Sequence, residues 1–154
     1  MDKLDRALLL SVRPRFADSI LAGTKTAEIR RQRPAVRPRA LVIIYATKPL
    51  GAIVGTARIL NLSEGSPDDM WREHQASVGV TKEELDNYLT GTETAYILKL
   101  DNIQRLEPLL TLEQIRAATS FQPPQSYRYV TSTILESFVT DHPDSGSLLT
   151  MLRS

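Results

Sequence analysis

The residues best suited to chemistry lie in one short stretch, Gly23 to Arg31, with the sequence GTKTAEIRR. It places an ammonium at Lys25, a carboxylate at Glu28 and a guanidinium at Arg30. If the stretch enters a strand, Thr26, Glu28 and Arg30 share one face and Ala27 and Ile29 take the other. Gly23 permits the left-handed backbone that ends a helix, and it sets Lys25 at the mouth of the strand. Strict alternation turns Lys25 away from Glu28, so joint action requires a bulge or turn to bring the lysine round. With the three together, the carboxylate can accept from a base amine while the guanidinium grips a phosphate or a carbonyl. The structural alternative is an exposed ion pair at a strand edge, worth about 0–1 kcal/mol.

Charge around this stretch is uneven. Net charge is +1, yet Met1 to Arg39 holds ten basic residues against four acidic ones, and the remainder nine against fourteen. A basic first quarter suits a polyanion, although arginine-rich strands also serve as solvated faces. Arg13 and Arg15 precede the motif and Arg31, Arg33, Arg37 and Arg39 follow it, so both flanks can seek phosphate, which sets affinity rather than sequence preference. Tyr45 and Thr47 end a strand-like run, where Tyr45 can stack on a base and Thr47 can offer a hydroxyl; an equal alternative is a core tyrosine with a satisfied hydroxyl. Trp71, with Met70 and His74, reads as a packing anchor.

The elements that must position these groups can be read from pattern. A strand over Ala7–Val12 leads through Arg13-Pro14 into a helix ending at Gly23. Ala40–Thr47 and Ala52–Leu62 read as strands, Thr94–Leu100 as another with continuation toward Leu106. Ser66 caps a short helix, and capping boxes start at Thr81 and Thr111. Phe121–Tyr127 is a proline-rich fixed loop, and Tyr129–Val139 is expected to be helical. Five to six strands with inserted helices, lacking regular β–α alternation, predict an α+β mixed barrel rather than a doubly wound sheet. The 154 residues fit one domain over 1–140, with a weakly ordered tail over 141–154.

Other classes are disfavoured. There is no cysteine, hence no disulfide, thiolate or Cys-type zinc site. His74 and His142 lie far apart, and no glycine-rich phosphate loop is present, so no metal or other cofactor is expected. The N-terminal apolar run falls well short of the roughly 18 residues a membrane span needs, and a cytoplasmic protein is expected.

The motif matches G-x-K-x-x-E-x-R and resembles the signature of the ASCH domain, a PUA-like β-barrel family. The similarity extends to LLLSVRPRFADSILAG, LVIIYATKPLGAIVGTARI, Trp71, GTETAYIL and PPQSYRYV, covering roughly Leu8 to Leu135. The resemblance implies a closed or nearly closed barrel whose cleft, lined by the motif, holds RNA or a nucleotide. It also implies an alternative, since some members act on RNA or modified nucleosides, with Lys25 and Glu28 then the catalytic candidates. In the N4-acetylcytidine amidohydrolases of the family, a threonine follows the lysine by three positions. Here Glu28 holds that place, and the nearby threonine is Thr26. A further alternative is a regulatory domain that contacts a protein through the helical insertion from Ser66 to Gly91.

Overall fold

The computed structural model describes residues 6–139 and 142–153. Six strands run as β1 (Ala7–Val12), β2 (Ala27–Arg30), β3 (Leu41–Ala46), β4 (Ala52–Gly65), β5 (Ala95–Thr111) and β6 (Tyr127–Val130). Six helices join them: α1 (Pro14–Ala22), α2 (Pro67–His74), α3 (Lys82–Tyr88), α4 (Leu112–Ala118), α5 (Ser132–Val139) and α6 (Ser145–Arg153). The strands form one curled sheet in the order β2-β5-β4-β3-β1-β6. β1 and β3 are parallel, and the other four pairings are antiparallel.

The apolar runs of β1 and β3 carry no polar alternation because both faces are buried. From β1, Leu8, Leu10 and Val12 pack with Ala17 and Ile20 of α1, while Ala7 and Leu9 pack with Leu112 and Ile115 of α4 and with α5. β4 and β5 are long, and three register shifts along their pairing bend the sheet. Gly55 sits at one of these shifts, where an added Cβ would lie 2.5 Å from the Gln104 carbonyl oxygen and 2.7 Å from the Leu21 side chain. Gly55→Ala is therefore expected to cost about 1–3 kcal/mol by overpacking, measurable as a lowered urea midpoint at unchanged slope.

Two segments depart from the sequence reading. Tyr129 and Val130, expected to begin a helix, instead belong to β6, which also takes Tyr127 from the expected loop and pairs with β1, Leu8 opposite Tyr129 and Leu10 opposite Tyr127. The aromatic residues suit a strand, and the helix starts only at Ser132. In the segment expected to be a weakly ordered tail, α6 packs Leu148 into the core, with Leu149, Met151 and Leu152 against it. Burial of that apolar face outweighs the local Gly-Ser-Pro composition. Positions 141 and 154 of that segment lie outside the described residues.

The sheet does not close on itself by backbone pairing. Among the described residues, β2 pairs with β5 alone and β6 with β1 alone, which leaves an open seam between the two edge strands. Arg30 crosses it: one guanidinium nitrogen donates to the Ser126 hydroxyl at 2.9 Å and the Ser126 carbonyl at 3.2 Å, the other to the Ser11 carbonyl at 3.4 Å.

Candidate functional site

The motif meets at this seam. Gly23 closes α1 at φ 83°, and the amides of Thr24 and Lys25 both return to the Ser19 carbonyl. The amides of Thr26 and Ala27 then bond to the Ser77 carbonyl at 2.9 and 3.1 Å, so the pleat of β2 begins only at Ala27. Lys25 precedes the pleat and escapes its alternation. Turn geometry, rather than a bulge, brings the ammonium round to Glu28.

Lys25 Nζ lies 3.1 Å from Glu28 Oε1 and also donates to the Val78 carbonyl, while Arg30 donates to Glu28 Oε2 at 2.6 Å. Lys25, Glu28 and Arg30 are 2, 5 and 6% exposed. The lysine stem lies against Gly79, which takes φ +64°, and a Cβ there would meet it at 2.9 Å. Burial pushes the Glu28 carboxyl up, but Arg30 and Lys25, by charge and hydrogen bonding, together hold it below the usual carboxylate range. The group is thus an ionised carboxylate clamped between two cations.

Above it opens a cleft of about 710 Å³. Its floor is Ser11, Lys25, Glu28 and Arg30; α1 contributes Phe16, with Arg13 just before that helix; α3 contributes Glu84, Asn87 and Tyr88; and Gln125 and Ser126 come from the loop before β6. Ser11 Oγ and Arg30 Nε are buried without a hydrogen-bond partner among the described residues.

Of the other candidates, Arg13 and Thr47 line the cleft, Arg13 exposed and Thr47 half-buried. Arg15 stands beside the cleft, paired with Glu84 and stacked 4.4 Å over the Phe16 ring. Thr26, expected to share the face of Glu28 and Arg30, is exposed and does not line the cleft, because it belongs to the turn rather than the strand. Of the two readings of Tyr45, a ring offered to a base or a core tyrosine, the structure takes the core position: Tyr45 is 2% exposed and packs edge-to-face on Phe121, 6.3 Å between ring centroids. It points to the far side of the sheet with Leu41 and Ile43. Arg31, Arg33, Arg37 and Arg39 are exposed and outside the cleft. Arg31 bonds to the Thr92 hydroxyl, Arg33 pairs with Glu64 at 2.8 Å and Arg39 with Asp101 at 2.7 Å.

The insertion holds Met70 and Leu85 in a small core with Ala27 and Ile97, with Trp71 packed on it, and forms one wall of the cleft. Ser11, Asn87, Tyr88 and Gln125 were not singled out from sequence. For the α3 pair, the signal was available in the 84, 87, 88 spacing, which places three residues on one helix face.

Fold and site together define a class: an α+β half-barrel whose open seam holds a buried Lys–Glu–Arg group at the foot of a cleft. The ASCH domain family model matches residues 10–106, and the chain belongs to that family. An ASCH domain-containing ribonuclease from Zymomonas mobilis is 33% identical over 124 residues, covering 79% of this chain and 82% of the relative. A crystal structure of ASCH from Zymomonas mobilis superposes with a TM-score of 0.81 at 28% identity, covering 89% of this chain and 96% of the other. The N-terminal domain of Staphylothermus marinus McrB shares the fold alone, with a TM-score of 0.54 at 13% identity, covering 92% of this chain and 98% of that one.

Proposed function

We propose that this chain binds RNA and takes one nucleotide into the cleft at the barrel seam. The observation that carries the reading is the buried Lys25–Glu28–Arg30 group. Two cations against one anion give the floor a net positive charge, and the carboxylate presents a fixed acceptor between them. A phosphodiester strand brings complementary charge, and its base and ribose bring donors for Glu28 and acceptors for Lys25, Arg30 and Ser11. Arg13 stands exposed at the mouth, before the first turn of α1, whose N-terminal end also favours an anion. The name of the Zymomonas relative, a ribonuclease, points to the same polymer.

The test is binding of single-stranded RNA across a salt series. Arg13→Ala is expected to weaken every sequence alike and to reduce the salt slope by about 0.7, the loss of one phosphate contact on a single strand. RNA affinity that does not respond to salt, or no affinity at all, would overturn the reading.

A second reading, RNA cleavage, is favoured by the relative's name. Lys25 and Arg30 would then stabilise negative charge developing at phosphorus as the ribose 2′-oxygen displaces the 5′-oxygen. Glu28 argues against it as the proton acceptor, because a carboxyl held below its usual range is a weak base at neutral pH. Mass spectrometry of the incubated RNA separates the two. Cyclic-phosphate products formed by the wild type and missing with Lys25→Ala would make the cleft an active site, and intact RNA in the complex makes it a reader.

A further inference from the structure

The helix α3 turns one face to the barrel and the other to the cleft. Leu85 and Leu89, 1 and 3% exposed, pack with Val78, Ala27 and Ile29, while Glu84, Asn87 and Tyr88 face the opening. Glu84 is already committed, accepting from the Thr81 amide in the capping box and from Arg15. Of its two neighbours, Tyr88 meets the Arg31 backbone through its hydroxyl and keeps its ring partly exposed. The Asn87 side chain is exposed and makes no hydrogen bond to the described residues.

Tyr88 keeps 41% of its surface, and of the four large apolar side chains so exposed it alone lines the cleft. The other aromatic ring of the cleft, Phe16, is already engaged by two cations, with the Arg15 guanidinium 4.4 Å and the Lys25 ammonium 5.1 Å from its centroid. Tyr88 therefore supplies the one open ring. It is carried on a helix fixed by packing and by a complete capping box, so the platform exists before any ligand arrives.

We propose that Tyr88 is the stacking platform for an unpaired nucleobase, and that the Asn87 amide beside it reads the edge of that base. The inference rests on the cleft being a nucleotide site, and it deepens that reading by naming what the wall recognises. A stacked ring satisfies an exposed aromatic face whichever base is present, and an amide supplies one donor and one acceptor in the plane of a base edge. Gln125 on the opposite wall offers a second amide. A base lying on Tyr88 has exchanged a neighbouring base for the tyrosine ring, so it comes from a single strand, a loop or a free nucleotide rather than from a continuous duplex.

The experiment uses single-stranded RNA carrying one 2-aminopurine, whose emission falls when the base stacks on an aromatic ring. With the full chain, binding is expected to quench the probe, and Tyr88→Phe to preserve both affinity and quench. Tyr88→Ala, at a partly exposed position, is expected to melt as the wild type does, to bind about tenfold more weakly and to lose the quench. Asn87→Ala is expected to keep the quench while levelling affinities among homopolymers. Quench by 2-aminopurine riboside monophosphate as well as by the strand would assign the platform to nucleotides generally, and quench by the strand alone to RNA; both retain Tyr88. Unchanged affinity and quench in Tyr88→Ala would overturn the inference, while the cleft reading would survive if Lys25→Ala had lost binding. A wild type that binds neither RNA nor the nucleotide would overturn both.

Discussion

Glu28→Ala is expected to destabilise the protein by about 3–5 kcal/mol, the usual cost of removing one partner from a buried ion pair. For a domain whose whole stability is of the order of 5–15 kcal/mol, that is a large share. The size follows from stoichiometry. Glu28 is the single anion between Lys25 and Arg30, and its loss leaves two cations facing each other in a site where each is less than a tenth exposed. Glu28→Gln keeps the shape and removes the charge, so it isolates the electrostatic part of the loss. Adding Lys25→Met to Glu28→Gln removes one of the stranded cations and is expected to recover part of the stability, with a coupling of about 0.5–3 kcal/mol. Urea unfolding of the wild type, Glu28→Ala, Glu28→Gln, Lys25→Met and the double variant measures all of this. Losses that simply add would show that the two groups do not share one site.

The same carboxylate sets an acid limit. Its folded value lies below the ordinary carboxylate value of about 4.5 because Arg30 and Lys25 together outweigh burial. A depressed carboxyl contributes stability that is fully present above its unfolded value and is lost as pH falls through the folded one. The window therefore opens below about pH 4.5 and extends toward more acid conditions. Glu28→Gln serves as the control here too, since its stability should fall less steeply across that window.

Local signals carried much of the fold. Gly23, Ser66, Thr81 and Thr111 end or begin helices where sequence placed them, because caps are decided by residues within one turn. The apolar runs of β1 and β3 declared buried strands. What pattern did not reveal was which side of a fully buried strand faces the cleft. Tyr45 is the instance: a strand apolar on both faces gives its tyrosine no polar neighbour to betray its direction, and it points away. Thr26 and Lys25 exchanged roles for a related reason. Alternation starts only where the pleat starts, and that point is fixed by the Ser77 carbonyl, about fifty residues downstream. The arginines after the motif share its charge but not its place, since β2 ends at Arg30 and the chain leaves the cleft there. Ser126, 96 residues from Arg30, joins the site only because the sheet curls until its two edges meet.

That meeting makes Arg30 the second large effect. Arg30→Lys keeps a positive charge beside Glu28, yet an ammonium cannot reproduce the planar fork that also reaches Ser126 and Ser11 across the seam. The expected loss is about 1.5–3 kcal/mol, the worth of a hydrogen bond to a charged group. Arg30→Ala, which also strips Glu28 of one of its two cations, is expected to lose about 3–5 kcal/mol. Stability alone does not separate a seam from an ordinary buried pair, so hydrogen exchange supplies the second readout. If Arg30 holds the two edges together, Arg30→Lys raises exchange selectively in β6 and in the Gln125–Ser126 loop, while β3 and β4 in the middle of the sheet remain protected. Ser126→Ala, which removes only the hydroxyl bond and leaves the carbonyl one, should raise it less. Uniform acceleration across all strands would mean that Arg30 stabilises the barrel globally. Acceleration confined to the seam would mean that the cleft owes its shape to one guanidinium, and RNA affinity should then fall in Arg30→Lys although the charge of the floor is unchanged.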